Sequence, residues 1–339
     1  MKRVLLIFML IAGLVACSPD PQPMIPTVIA SPVPLQAFQS TSIPRIVEIS
    51  PTDTRTATPE ASLTLTPSST PIPPTVTVVP VDFAQPAQVS VATLDPSLSA
   101  QLDQLLHRDD VTIIGYSAQR RPIPLVTLGQ GEHQLLLVGG IHGGWEMNTI
   151  TLMLELIAYF DADSSRIPDP IQLAIVPVLN PDGLIYGRTP QGRLNARAVD
   201  LNRNWSCEWS AEAYWRDERV NAGDAPLSEP ETQALAMYVQ AQRPASALFY
   251  HSAANGIFAG NCQTDHGSQA LAETYGRAAG YSYQATFSAY PVTGTAVGWL
   301  DGLGIPAADV ELQGRDTPEW ERNLSGLQAV LIWLSQRES

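Results

Sequence analysis

His142 and Glu146 flank Gly143, Gly144 and Trp145, shortly after the apolar run Leu135-Leu136-Leu137-Val138. A strand ending on glycines there would send an imidazole and a carboxylate out of the turn. Zinc accepts this mixture of nitrogen and oxygen ligands, and a catalytic zinc takes three protein ligands plus water. The pair alone also fits an ordinary polar loop, so partners must come from elsewhere in the chain. His251 closes the apolar run Ala247-Leu248-Phe249-Tyr250, and Glu311 lies inside Asp309-Val310-Glu311-Leu312. A carboxylate in an apolar strand is unfavourable unless something pairs with it. Between the two histidines, residues 193–205 gather Arg193, Arg197, Asn202 and Arg203 in a loop, where binding residues tend to sit.

The elements that must position these residues alternate. Residues 111–116 and 124–128 read as strands around an Arg120-Arg121-Pro122 turn, and 134–138 as the next strand. Ile150, Leu154 and Ile157 recur at helical spacing after Glu146. Residues 171–179 form a nearly continuous apolar run, expected of a strand covered on both faces, and Asn180-Pro181-Asp182-Gly183 ends it as a turn. Ser228-Glu229-Pro230-Glu231 reads as a capping box opening a helix to about residue 242. A strand at 247–250, a helix at 269–279, a strand at 307–312 and a helix marked by Leu324, Leu327, Leu331 and Leu334 follow. Strands interleaved with helices predict an α/β fold: a mixed, mainly parallel central sheet with helices on both faces. Ligands of such sheets collect beyond the carboxyl ends of strands, where His142 and His251 stand.

The chain has 339 residues and a formal charge of −14, which argues against nucleic acid as a partner. Met1-Lys2-Arg3, a short apolar stretch at 4–15 and Ala16-Cys17 resemble a bacterial lipoprotein signal peptide. The expected processing removes residues 1–16 and acylates Cys17, leaving an exported protein held at the cell surface through lipid; the alternative is an ordinary secretory signal. Residues 17–88 are dense in Pro, Thr and Ser and read as a disordered tether, with a short strand at Val76, Val78, Val79 and Val81 as the other reading. Such a segment is not expected to fold as a prodomain, so proteolytic activation is not implied. Residues 89–339 have the composition of one globular domain. Cys207 and Cys262 remain in polar loops of an exported chain, so a disulfide between them is expected, against two separate thiols or a metal site, which would need more ligands nearby.

Taken in order, His-Gly-Gly-x-Glu, Asn-Pro-Asp-Gly, Asp-Leu-Asn-Arg-Asn-Trp, Ser-Glu-Pro-Glu-Thr, strand-His-Ser, Tyr-x-x-x-Gly and strand-Glu-Leu resemble the zinc metallocarboxypeptidases of the carboxypeptidase A type, the M14 peptidases, in their compact bacterial form. The resemblance implies a carboxypeptidase-like, phosphorylase/hydrolase-type fold and one Zn2+ held by His142, Glu146 and His251. It implies Glu311 as general base, Arg193 at the oxyanion, and Asn202 with Arg203 on the substrate's terminal carboxylate. It also implies Tyr290 as the tyrosine covering the bound residue, Asp200 as the carboxylate orienting a zinc histidine, and Val297 at the pocket floor, where an apolar residue points to a neutral or hydrophobic terminal side chain. Arg188 and Arg197 compete with Arg193 for the oxyanion. The implied substrate is a peptide, or a peptidoglycan peptide at a γ-glutamyl–diamino acid bond, with a free carboxylate. A non-catalytic peptide-binding module is the remaining alternative. One departure stands out: the family has two residues between its first His and Glu, and this chain has three, Gly143, Gly144 and Trp145.

Overall fold

The computed structural model describes residues 95–337. The leader, Cys17, the tether with its valines and the expected boundary at residue 88 lie outside the described residues. No helix among the described residues is long and apolar enough to cross a membrane.

In chain order the elements are α1 (Pro96–Leu106), β1 (Val111–Tyr116), β2 (Pro122–Gly129), β3 (His133–Val138), α2 (Met147–Ala162), β4 (Ile171–Val176), the single-turn helices α3 (Pro181–Leu184) and α4 (Pro190–Arg193), β5 (Ala213–Trp215) and β6 (Glu218–Val220). There follow α5 (Pro230–Gln242), β7 (Ser246–Ser252), β8 (Gly256–Ala259), α6 (Ser268–Ala279), β9 (Ser282–Gln284), α7 (Ala296–Gly302), β10 (Ala307–Leu312) and α8 (Trp320–Ser335). One eight-stranded sheet runs β1-β2-β4-β3-β7-β10-β8-β9, and β5 pairs with β6 apart from it. The central strands β4, β3, β7 and β10 are mutually parallel, while β1, β2 and β8 join antiparallel on the flanks. The predicted mixed α/β sheet is therefore present.

Strand periodicity explains the two cores. On β3, Leu135 and Leu137 face α2, whose Ile150, Met153, Ile157 and Phe160 recur every three or four residues. Leu136 and Val138 face the other way, onto Leu235 and Val239 of α5 and Leu300 of α7. Each such side chain, fully buried, contributes about 1.5–3 kcal/mol relative to exposure. Both faces are covered, which is why these strands read as unbroken apolar runs rather than alternation.

Some local expectations are corrected. The run 171–179 is strand only to Val176, because Pro177 has no N–H to continue the ladder. Asn180-Pro181-Asp182-Gly183 is a helical turn, with Asn180 Oδ1 accepting from Gly183 N–H at 2.8 Å. The capping box at Ser228 does not form. The residue preceding α5 is Glu229; Ser228 Oγ donates to its Oε1, and Glu231 instead accepts from Ala118 N–H and Asn195 Nδ2.

Candidate metal centre and substrate cavity

The turn after β3 brings the first two donors together. Gly143 adopts φ +44°, and a Cβ there would stand 2.7 Å from the Gly183 carbonyl carbon and the Gly192 oxygen. A Cβ on Gly144 would stand 2.6 Å from Gly187 Cα. Only glycines allow the backbones to approach this closely. The extra residue is absorbed in one 3-10 turn, Gly143–Glu146, directly before α2. Thr149 Oγ1 accepts from Gly140 N–H at 3.1 Å and donates to the Glu146 carbonyl at 2.7 Å, tying the turn to the helix.

The third donor arrives through the sheet. Parallel pairing of β3 with β7 and of β7 with β10 sets His251 beside the turn, with Glu311 directly opposite His251 in the register. His142 Nδ1 lies 3.0 Å from Glu146 Oε2, His251 Nδ1 lies 3.2 Å from the same oxygen, and the two Nδ1 atoms are 3.3 Å apart. Tetrahedral zinc with bonds of about 2.0–2.2 Å spaces its donors about 3.3–3.6 Å apart, so this triangle fits the ion closely. All three residues are buried and form a donor group able to hold a metal.

Both rings turn Nδ1 inward and are backed at Nε2 by a carboxylate: Asp200 Oδ1 at 3.3 Å for His142, Asp309 Oδ1 at 3.2 Å for His251. Such carboxylates orient ligand histidines and raise their basicity. Burial works against charge on His251, but Asp309 and Glu146 outweigh it and raise its pKa well above the ordinary value. Burial likewise opposes ionisation of Glu146, and the two histidines overcome it, holding its carboxyl low. The cluster thus favours positive charge between its donors, as a zinc site requires.

Arg193 closes α4 and is buried, its Nε and Nη2 donating to Asp200 Oδ2 at 3.0 and 2.8 Å. Its Nη1 lies 3.7 Å from Glu146 Oε1, and its guanidinium stands 5.2 Å over the Trp215 ring. Burial raises the pKa of Asp200, but the Arg193 cation beside it takes it well below the usual range. Of the three competing arginines, only Arg193 lines the cavity. Arg188 bonds Asp316, and Arg197 lies 3.7 Å from Glu229, both on the surface.

A cavity of about 210 Å³ opens over the triangle, lined among others by Asn202, Arg203, Tyr290 and Glu311. Arg203 donates from Nε to the Tyr214 carbonyl and from Nη1 to the Asn202 carbonyl, which fixes the guanidinium plane in the wall. Asn202 Oδ1 accepts from Ala296 N–H at 2.9 Å. Tyr290 stacks edge-on with Phe287 at 4.8 Å. Glu311 Oε2 accepts from Ala254 N–H at 3.0 Å, and burial among other carboxylates pushes its pKa up to about 7. That is the range of a general base at neutral pH.

Val297 does not line this cavity. It lies in α7 against the core and borders a smaller adjoining recess. The expected Cys207–Cys262 disulfide is present, with Cα atoms 6.0 Å apart. Asp309 was not singled out from sequence, although it lies two residues before Glu311 on one strand and therefore shares its face. Trp215, Arg216 and Arg315 also line the cavity. They come from the β5–β6 hairpin and the loop after β10, which carried no periodic signal.

Residues 107–318 match the family model for peptidase M14, described as zinc carboxypeptidase. The chain belongs to this family. Its sequence is 32% identical over 126 residues to murein peptide amidase A of Escherichia coli K12, covering 34% of this chain and 48% of that protein. It is 25% identical over 208 residues to γ-D-glutamyl-L-diamino acid endopeptidase 1 of Lysinibacillus sphaericus, covering 50% of this chain and 52% of that protein. The chain thus spans about half the length of these curated relatives. Among solved structures, carboxypeptidase A from Helicoverpa armigera superposes with a TM-score of 0.54 at 18% identity, covering 70% of each chain. Murein-tripeptide amidase from Escherichia coli O157 gives 0.50 at 23%, covering 68% of this chain and 94% of that one. At these identities the superpositions show a common fold.

Proposed function

We propose that this zinc carboxypeptidase family member is a metallocarboxypeptidase that hydrolyses the C-terminal peptide bond of a peptide with one Zn2+ on His142, Glu146 and His251. The observation that carries this reading is the convergence of the donor triangle, Glu311 and the Asn202–Arg203 pair on one cavity. When bound, zinc supplies a Lewis acid for the scissile carbonyl and the attacking water. Glu311 takes the proton from that water and delivers it to the leaving amine. Arg193, held rigid by Asp200, faces the charge that develops on the carbonyl oxygen. Arg203 and Asn202 hold the terminal carboxylate, for which a guanidinium fork is well shaped. Tyr290 covers the bound residue.

The family resemblance to murein peptide amidase A and γ-D-glutamyl-L-diamino acid endopeptidase 1 favours a second reading with the same chemistry, cleavage of a γ-glutamyl–diamino acid bond in a cell-wall peptide. Purified protein would be assayed for bound zinc and for turnover of benzoyl-glycyl dipeptides and of murein tripeptide. Turnover of the dipeptides supports the first reading, and turnover of the tripeptide alone supports the second. Stoichiometric zinc with neither activity would return the chain to a peptide-binding module. Export and lipid anchoring through Cys17 complete the proposal, supported by the leader sequence and by a disulfide suited to an oxidising compartment. Fatty-acid labelling that persists in Cys17→Ala would rule the anchor out.

A further inference from the structure

Arg193, Arg203, Arg216 and Arg315 line the cavity over the donor triangle. Two of them have roles in the hydrolysis proposed above. Arg193 is bound to Asp200, and Arg203 is fixed by two backbone carbonyls to meet the terminal carboxylate. Arg216 is exposed on the turn between β5 and β6, 5.0 Å over the Trp215 ring. Arg315 is held in place, largely shielded from water, and has no counter-charge at hand.

The loop after β10 positions it. Asn148 of α2 donates from Nδ2 to the carbonyls of Gly314 and Thr317 at 2.9 and 3.0 Å, and its Oδ1 accepts from Ser252 Oγ at 3.0 Å. Glu319 Oε1 accepts from the backbone N–H groups of Gln313 and Gly314. From this clamped loop Arg315 Nη2 donates to the Ser252 carbonyl at 2.9 Å, one residue past His251. Its guanidinium lies 4.9 Å over the ring of Trp145, one residue before Glu146. Trp145 belongs to the three-residue spacing that departs from the family, and its ring meets Trp215 edge-on at 5.9 Å. Arg315 therefore touches the chain neighbours of two donor residues. Its Nε is buried without a partner, only Nη2 makes a hydrogen bond, and the side chain forms no ion pair among the described residues. Burial lowers its pKa below the ordinary arginine value. A cation shielded in this way is unfavourable until an anion meets it, and the unused donors of a guanidinium fork suit a carboxylate.

We propose that Arg315 receives a carboxylate on the substrate residue that supplies the scissile carbonyl, and so selects a glutamyl residue there. The inference rests on the peptidase reading above: with the terminal carboxylate on Arg203 and the carbonyl oxygen facing Arg193, Arg315 is the held cation left for the acyl side. A glutamyl residue offers that carboxylate in either linkage, as the side chain of an α-linked residue or as the α-carboxylate of a γ-linked one. In both, the same number of bonds separates it from the scissile carbonyl carbon.

Two pairs of substrates isolate the charge. Benzoyl-glutamyl-phenylalanine is compared with benzoyl-glutaminyl-phenylalanine, and γ-D-glutamyl-diaminopimelate with its α-amide. In at least one pair, wild-type zinc-loaded protein is expected to favour the carboxylate in kcat/KM by about tenfold to hundredfold, the range of a hydrogen bond between charged groups. The pair that shows the preference identifies the linkage. In Arg315→Gln the ratio should fall toward one, and Arg315→Lys should keep part of it. If Arg315 only props the Ser252 carbonyl, both members of a pair slow equally and the ratio stays. That outcome, or a wild-type ratio near one in both pairs, overturns the proposal, and the wild-type ratios need no variant to fold. Should no compound be turned over, calorimetric binding of the same compounds decides: tighter binding of the carboxylate, lost in Arg315→Gln, sustains the role of Arg315 while counting against the peptidase reading, and equal binding overturns it.

Discussion

Replacing Asp200 by Asn should damage both the fold and the metal centre. Asp200 is fully buried, its Oδ2 accepts two hydrogen bonds from Arg193, and its Oδ1 sits 3.3 Å from His142 Nε2. Asn keeps the shape but leaves the buried Arg193 without its main counter-charge; breaking one side of a buried pair costs about 3–5 kcal/mol. For a domain of this size each kcal/mol lowers Tm by roughly 2–4 °C, so a fall of about 6–20 °C is expected. Loss of the carboxylate behind His142 should weaken zinc binding about 10- to 100-fold. The pH dependence has a definite sign. Asp200 titrates well below its ordinary value of 3.8 in the folded protein, so its contribution is complete above that pH and disappears as pH falls through the folded pKa. The wild-type and variant Tm curves should therefore run parallel at pH 5–8 and converge only in strong acid. Differential scanning calorimetry across pH, with zinc competition against a fluorescent chelator, measures both effects. Equal Tm and equal zinc affinity at pH 7 would refute the role assigned to Asp200.

Other perturbations reach different parts of the site. Glu311→Gln should keep zinc while lowering kcat about 10²- to 10⁴-fold; wild-type kcat/KM should rise with pH up to about 7, or lower once the ion is bound, as Glu311 ionises, and that limb should vanish in the variant. Gly143→Ala forces an L side chain to φ +44° against backbone atoms, so zinc affinity and kcat should fall together, and unchanged zinc titrations would refute the account of the extra residue. Chelation should abolish hydrolysis and lower Tm, and added zinc should restore both. Cys207→Ser with Cys262→Ser opens a loop of 55 residues and should cost up to about 4 kcal/mol in urea denaturation.

Long, strongly patterned elements were legible in the sequence. β10 runs from 307 to 312 as predicted, and α6 and α8 match within a few residues of their signals. Shorter ones were not. β8 and β9 span four and three residues, too few alternations to register, and α1 lies before the segment where strands first become apparent. The box at Ser228 failed for another reason: Glu231 meets Ala118 and Asn195, 113 and 36 residues away, and these tertiary bonds displaced the local one.

His142, Glu146, His251 and Glu311 owe their legibility to chemistry, as donors at or just beyond the ends of apolar runs and a carboxylate inside one, which is unfavourable without a partner, whereas the roles of Asn202 and Arg203 came from the family resemblance alone. Local sequence therefore supplied the donor types, their order and the glycines that admit one extra residue. Whether the donors meet was decided by the tertiary structure. Strand order places β3, β7 and β10 side by side, and parallel register aligns Glu311 with His251. The same pairing put Asp309 behind His251, while α7 carries Val297 to the side recess. Such placements depend on which strands pair and in what register, which is settled by covering both faces of the sheet together rather than by any one segment.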